Sequence, residues 1–151
     1  MQHDETALVK EALRQARERL SNGQRLLPCA YMLVRMNPQT GAPLTYPTAI
    51  GMQYEKQFEN AAAYLEFVGI LRDEAKRLSA IAVALGGEAE AEVEGESRPR
   101  RVFYLRVEDA DGVHHLHAPI EHSATGVRLG SLVDAGDAPD DLPEPLLPRT
   151  W

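Results

Sequence analysis

Leu26-Leu27-Pro28-Cys29-Ala30-Tyr31-Met32-Leu33-Val34-Arg35-Met36 is the stretch on which the fold turns. Successive side chains of a strand point to opposite faces. Leu27, Cys29, Tyr31 and Leu33 then share one face, and Leu26, Ala30, Met32, Val34 and Met36 share the other. Both faces are apolar, so this strand is expected to lie centrally in a sheet and to be covered on both sides.

Upstream, Asp4 can cap a helix that runs to about Leu20, with Leu8, Val9, Ala12, Leu13, Ala16 and Leu20 spaced by three and four. Asn22-Gly23 supplies a left-handed stop. Downstream, Asn37-Pro38-Gln39-Thr40-Gly41 reads as a turn. Leu44–Met52 then alternates as a strand whose Pro47 confines it to an edge. Glu55 to about Ser79 reads as a long helix, striped by Phe58, Ala61, Leu65, Val68, Leu71, Ala75 and Leu78. Within it, Asp73 and Arg77 stand four apart and are expected to pair. Gly69 either weakens the helix or admits a close neighbour.

The run 80–85 fits a strand or more helix. Its alternation of β-branched residues with Ala, before Gly86-Gly87, favours the strand. Residues 88–96 alternate Glu with Ala or Val, a period that permits a strand with an acidic face. Val102–Glu108 and Val113–Ile120 form a hairpin around Asp109-Ala110-Asp111-Gly112, where Asp-Gly is a strong turn signal. If Asp111-Gly112 closes it, His115 faces Glu108 and His117 faces Arg106. Val127, Leu129 and Leu132 suit a short final strand.

The resulting order, α-β-β-α-β-β-β, implies an α+β fold with a predominantly antiparallel sheet of about five strands and two helices. Residues 1–133 form one domain, and residues 134–151 an acidic, Pro-rich flexible tail whose removal should leave the body intact. With both helices on one face of the sheet, the two-sided strand needs a further cover. A second subunit supplies one, giving an expected homodimer.

Charge and cysteine usage narrow the setting. The chain has 151 residues and a net charge of -7. The excess is local: five Glu and no base occupy 88–96, and five acids stand against Arg149 in 134–151. The near-neutral remainder lacks the basic footprint of a nucleic-acid binder. Arg98, Arg100 and Arg101 read as charge balance for the neighbouring glutamates. A single cysteine, the absence of an apolar leader pattern after Met1 and the lack of any membrane-length apolar run point to a cytoplasmic, membrane-free protein. The preference for Arg over Lys suggests a GC-rich bacterial coding sequence.

Motifs of enzyme chemistry are missing: there is no P-loop, dinucleotide fingerprint or H-E-x-x-H helix. Asp109-Ala110-Asp111-Gly112 fails as a calcium loop, because Val107 and Ala118 fall where ligands belong. Cys29 reads as a buried small hydrophobe, and His114 as a satisfied inward histidine. The leading expectation is therefore a small non-catalytic interaction or accessory protein without a cofactor, self-associating through a sheet face.

Two alternatives stand beside it. His115, His117 and His122 could bind zinc or another divalent metal, two imidazoles sharing one strand face. Tyr31, Tyr46 and Tyr104 could line a small-ligand site on an open sheet face. In the tail, Leu146, Leu147 and Trp151 are the candidate contacts to a protein partner, or fold back on the domain.

Overall fold

A computed structural model describes residues 3–54, 57–92, 95–134 and 146–147. The elements run α1 (His3–Ser21), β1 (Cys29–Met36), β2 (Pro43–Gln53), α2 (Ala61–Arg77), β3 (Ala82–Ala91), β4 (Arg100–Asp109), β5 (Gly112–Ser123), β6 (Gly126–Leu129) and β7 (Val133–Asp134). All the strand pairs are antiparallel. The sheet order is β2-β1-β3-β4-β5-β6, and β7 shares the outer edge of β5 with β6. The expected α+β class and element order are thus found, with seven strands among the described residues rather than about five.

Helix α1 already contains Asp4, so its start lies one residue before the expected cap. Its end is a Schellman motif. Gly23 takes φ +70°, Gln24 N–H donates to the Arg19 carbonyl at 2.9 Å, and Gly23 N–H donates to the Leu20 carbonyl at 3.1 Å. Helix α2 begins at Ala61, six residues later than the sequence suggests. The Asn60 side chain accepts from Ala63 N–H at 2.9 Å and fixes that start. Its buried face is Phe67, Val68, Leu71 and Ala75, so Leu65 leaves the expected stripe and is half exposed. Arg77 pairs with Glu74 at 2.7 Å instead of with Asp73. A Cβ at Gly69 would meet nothing within 4 Å, so no element approaches the helix there.

The ambiguous run 80–85 is strand, and β3 continues through Gly86-Gly87 into the glutamate-rich stretch. A Cβ at Gly86 would lie 2.7 Å from the Tyr104 carbonyl oxygen, so glycine lets β4 lie close there. Strand β1 sits between β2 and β3, as its two apolar faces require.

The two helices cover opposite faces, which corrects the expectation of both on one. Leu8, Ala12, Leu13 and Ala16 of α1 pack with Cys29, Tyr31 and Leu33 of β1, Ala82 and Ala84 of β3, and Phe103, Leu105 and Val107 of β4. Phe67, Val68, Leu71 and Ala75 of α2 pack with Ala30, Met32, Val34, Val83 and Leu85 on the other face. Both apolar faces of β1 are therefore filled by the chain itself, and a second subunit is not needed to cover it. Leu146 completes the α2-side core, fully buried, with Leu147 packed beside it.

Candidate functional site

The β4–β5 hairpin has two buried faces of unlike chemistry. Phe103, Leu105, Val107, Leu116, Ala118 and Ile120 face the α1 side. The alternate positions, Tyr104, Arg106 and Glu108 on β4 and His115 and His117 on β5, point to the other side. The turn sets which residues meet. Asp109 pairs with Gly112, leaving Ala110-Asp111 as the loop. The Asp109 Oδ1 atom accepts from Asp111 N–H at 2.7 Å and Gly112 N–H at 3.0 Å, and Gly112 adopts φ +139°. That side-chain cap moves the turn one residue earlier than Asp-Gly alone implies. Arg106 consequently faces His115 and Tyr104 faces His117, while Glu108 faces Val113. The expected Glu108–His115 and Arg106–His117 pairings are not formed.

This polar face is buried at its centre, with Tyr104 and His117 partly exposed. Relative exposure is 1% for Arg106, 4% for Glu108 and 5% for His115. Burying a carboxylate and a guanidinium costs several kcal/mol unless both are paired and hydrogen-bonded. Arg106 Nη2 donates to Glu108 Oε1 at 3.0 Å. The same oxygen accepts from the main-chain N–H of Leu146 at 3.1 Å, and Oε2 accepts from that of Leu147 at 2.6 Å. One carboxylate thus ties two strand residues to a segment 38 positions away. Hydrogen bonds to an ionised acceptor are the strong kind, which offsets the burial. Beside this pair, Tyr104 Oη and His115 Nδ1 are hydrogen-bonded, and their rings stack at 5.8 Å and 24°.

The sequence-predicted site residues fare unevenly. His115 and His117 share a face, but His122 lies on the opposite face, five residues along, beside an open groove of about 520 Å³ lined with Pro99, Arg100, Arg101, Ile120 and Glu121. Among the described residues, no group of three or more His, Cys, Asp or Glu is placed to hold a metal ion. His114, expected to be inward and satisfied, is partly exposed at 3.4 Å from Asp109, and His115 is the buried one. The three tyrosines do not share a face. Tyr31 is buried under α1 with its hydroxyl donating to Gln15 at 3.0 Å, Tyr46 is exposed on β2, and Tyr104 lies on the α2 side. Leu146 and Leu147 rest on their own domain, while Trp151 lies outside the described residues.

The arginines near the groove carry local partners. Arg101 binds Glu88 at 2.6 Å, Arg100 stands 3.7 Å from Glu96, and Arg128 binds Glu121 at 2.9 Å. Charge balance accounts for them. Cys29 is buried, and that burial pushes its thiol up to about 12, far from the thiolate a nucleophile needs.

A second feature escaped the sequence reading. Residues 36–54 contain no Asp, Glu, Lys, Arg or His, in a chain that is 26% charged. They form the β1–β2 turn and strand β2, which lies at a sheet edge and is exposed along most of its length. Among the described residues β2 pairs with β1 alone. The signal was present as a gap in the charges, which a search for motifs passes over.

Comparison with known protein families, with curated proteins and with solved structures finds no match.

Proposed function

We propose that this chain is a small non-catalytic interaction module that self-associates edge to edge, two β2 strands pairing antiparallel to make one continuous sheet. The uncharged exposed edge carries the reading. Free sheet edges are normally blunted by charges, bulges or proline, because unpaired N–H and C=O groups template further pairing. Pro43, Pro47 and a register irregularity between the Val34–Thr48 and Met36–Pro43 pairs guard one end of this edge and leave Thr48–Gln53 free of proline. In a two-fold antiparallel pair residue i meets residue j of the partner and j meets i, so a strand carrying charges of one sign would place like charges together. A strand without charges has no such penalty. Exposed Tyr46 and Met52 add apolar area at the same edge.

Self-association through an open sheet face loses its motive once α1 and α2 cover both faces of β1. The edge takes its place in the proposal. A cytoplasmic setting accords with the lone cysteine being a buried thiol. Among the described residues, no helix is long and apolar enough to cross a membrane.

Sedimentation equilibrium is the test. Wild type is expected to dimerise at micromolar concentration. Thr48→Lys and Thr48→Glu, each at an exposed position of β2, are expected to weaken the dimer, and with the two-fold axis at Thr48 the two variants dimerise when mixed. A wild type that stays monomeric at several hundred micromolar would sink the proposal.

A further inference from the structure

We infer that the buried polar face of the β4–β5 hairpin is a binding site for a bent, proline-flanked dileucine peptide, and that the chain's own Leu146-Leu147 fills it in cis. The inference does not depend on pairing of β2. It rests on how the occupant matches the site. The sequence there is Pro143-Glu144-Pro145-Leu146-Leu147-Pro148. Proline has no N–H, so Pro145 and Pro148 bracket a dipeptide that offers two main-chain donors in a row. Both donors go to Glu108, one to each carboxylate oxygen, at 3.1 and 2.6 Å. The Leu146 side chain is fully buried against the α2-side core.

Successive N–H groups of an extended chain point to opposite sides, so the bend at Leu146-Leu147 is what brings both donors to one carboxylate, while the side-chain pocket reads the sequence. Flanking prolines restrict the backbone of a free peptide, which lowers the ordering cost. The site side is equally specific. Glu108 is held in place by Arg106, itself 1% exposed, at 3.0 Å. An apolar patch would cover a core at less cost than a buried ion pair. What the pair adds is an acceptor set for two successive amides. The ligand class is therefore a peptide that bends at a leucine pair between prolines. A tethered segment competes at an effective concentration on the order of millimolar, so a free peptide meets an occupied site in the wild type.

The test keeps the full chain. In L146D/L147D, the internal segment no longer suits an apolar pocket beside a carboxylate. A fluorescein-labelled synthetic peptide with the sequence of residues 142–151 is titrated into wild type and variant and followed by anisotropy. The variant is expected to bind it at least about tenfold more tightly than wild type, as release from tethered competition requires. A peptide N-methylated at the two leucine amides keeps the side chains, loses both donors and is expected not to bind. Should the variant be unfolded alone, recovery of its far-UV circular dichroism on adding the unmethylated peptide supports the site equally. The inference is overturned by a folded variant that ignores the peptide, by equal binding of the N-methylated peptide, or by an unfolded variant that the peptide does not restore.

Discussion

The two faces of the β4–β5 hairpin are both buried at their centres, yet one is built of Phe103, Leu105, Val107, Leu116 and Ala118 and the other of Arg106, Glu108 and His115 with the partly exposed Tyr104 beside them. The first excludes water by area, at about 25 cal/mol per Å² of apolar surface removed from it. The second is closed only because each charge has somewhere to go. Glu108 spends its oxygens on Arg106, Leu146 N–H and Leu147 N–H, and Tyr104 spends its hydroxyl on His115. Alternation along a strand thus identifies two chemistries, not an inside and an outside. Whether a polar face is wet depends on what arrives to cover it.

That comparison can be broken most directly at Glu108. Glu108→Ala removes a buried carboxylate that bonds Arg106 and two main-chain N–H groups, and is expected to cost about 3–5 kcal/mol. Leu105→Ala on the apolar face is expected to cost about 2–5 kcal/mol. Urea denaturation of both variants compares them, and a Glu108→Ala cost under about 1 kcal/mol would mean that the polar face is hydrated after all.

The apolar side makes its own prediction through Cys29. Burial raises its thiol from 9.0 to about 12, so the folded state holds a proton that the unfolded state releases across that window. The folded form then binds more protons, and stability falls as pH rises from about 9 to about 12, by a few kcal/mol at the top. Tyr31, also raised by burial, adds a decline of the same sign. The difference between wild type and Cys29→Ala, measured by denaturation at pH 8 and pH 11, isolates the thiol. Equal pH dependence in the two would place Cys29 in contact with water.

Smaller effects sharpen the picture. Tyr104→Phe removes a hydroxyl bonded to His115 and is expected to cost about 1 kcal/mol, read from the same denaturation curves. No loss would mean that the ring stack alone places His115. In the helix over the α2 side, Gly69→Ala adds a methyl where nothing lies within 4 Å and is expected to stabilise by about 0.5–1 kcal/mol. A loss in melting temperature there would reveal a neighbour at that face.

Much of the architecture was legible because it is written locally. The two apolar faces of Leu26–Met36 correctly placed β1 in the middle of the sheet, and alternation across 80–85 correctly chose strand over helix. The Asn22-Gly23 stop is where the chain ends its first helix. What failed needed information from elsewhere in the chain. The placement of α1 and α2 on opposite faces is a matter of topology, which periodicity does not encode. The hairpin register hinged on whether the Asp109 side chain would cap the turn, a contest between two plausible loops. The burial of Arg106 and Glu108 depends on a segment 38 residues downstream, and no local pattern announces it. The dileucine between prolines was visible as composition, but its donors acquire meaning only beside a carboxylate.

The same polar lining also bears on the order of synthesis. Leu146 leaves the ribosome 38 residues after Glu108, so the hairpin can form while its cover is still being made. At about 5–20 residues per second that wait lasts seconds. An apolar surface left open for that time would invite association with other nascent chains. A surface of Tyr104, Arg106, Glu108 and His115 is content in water until the segment comes to close it.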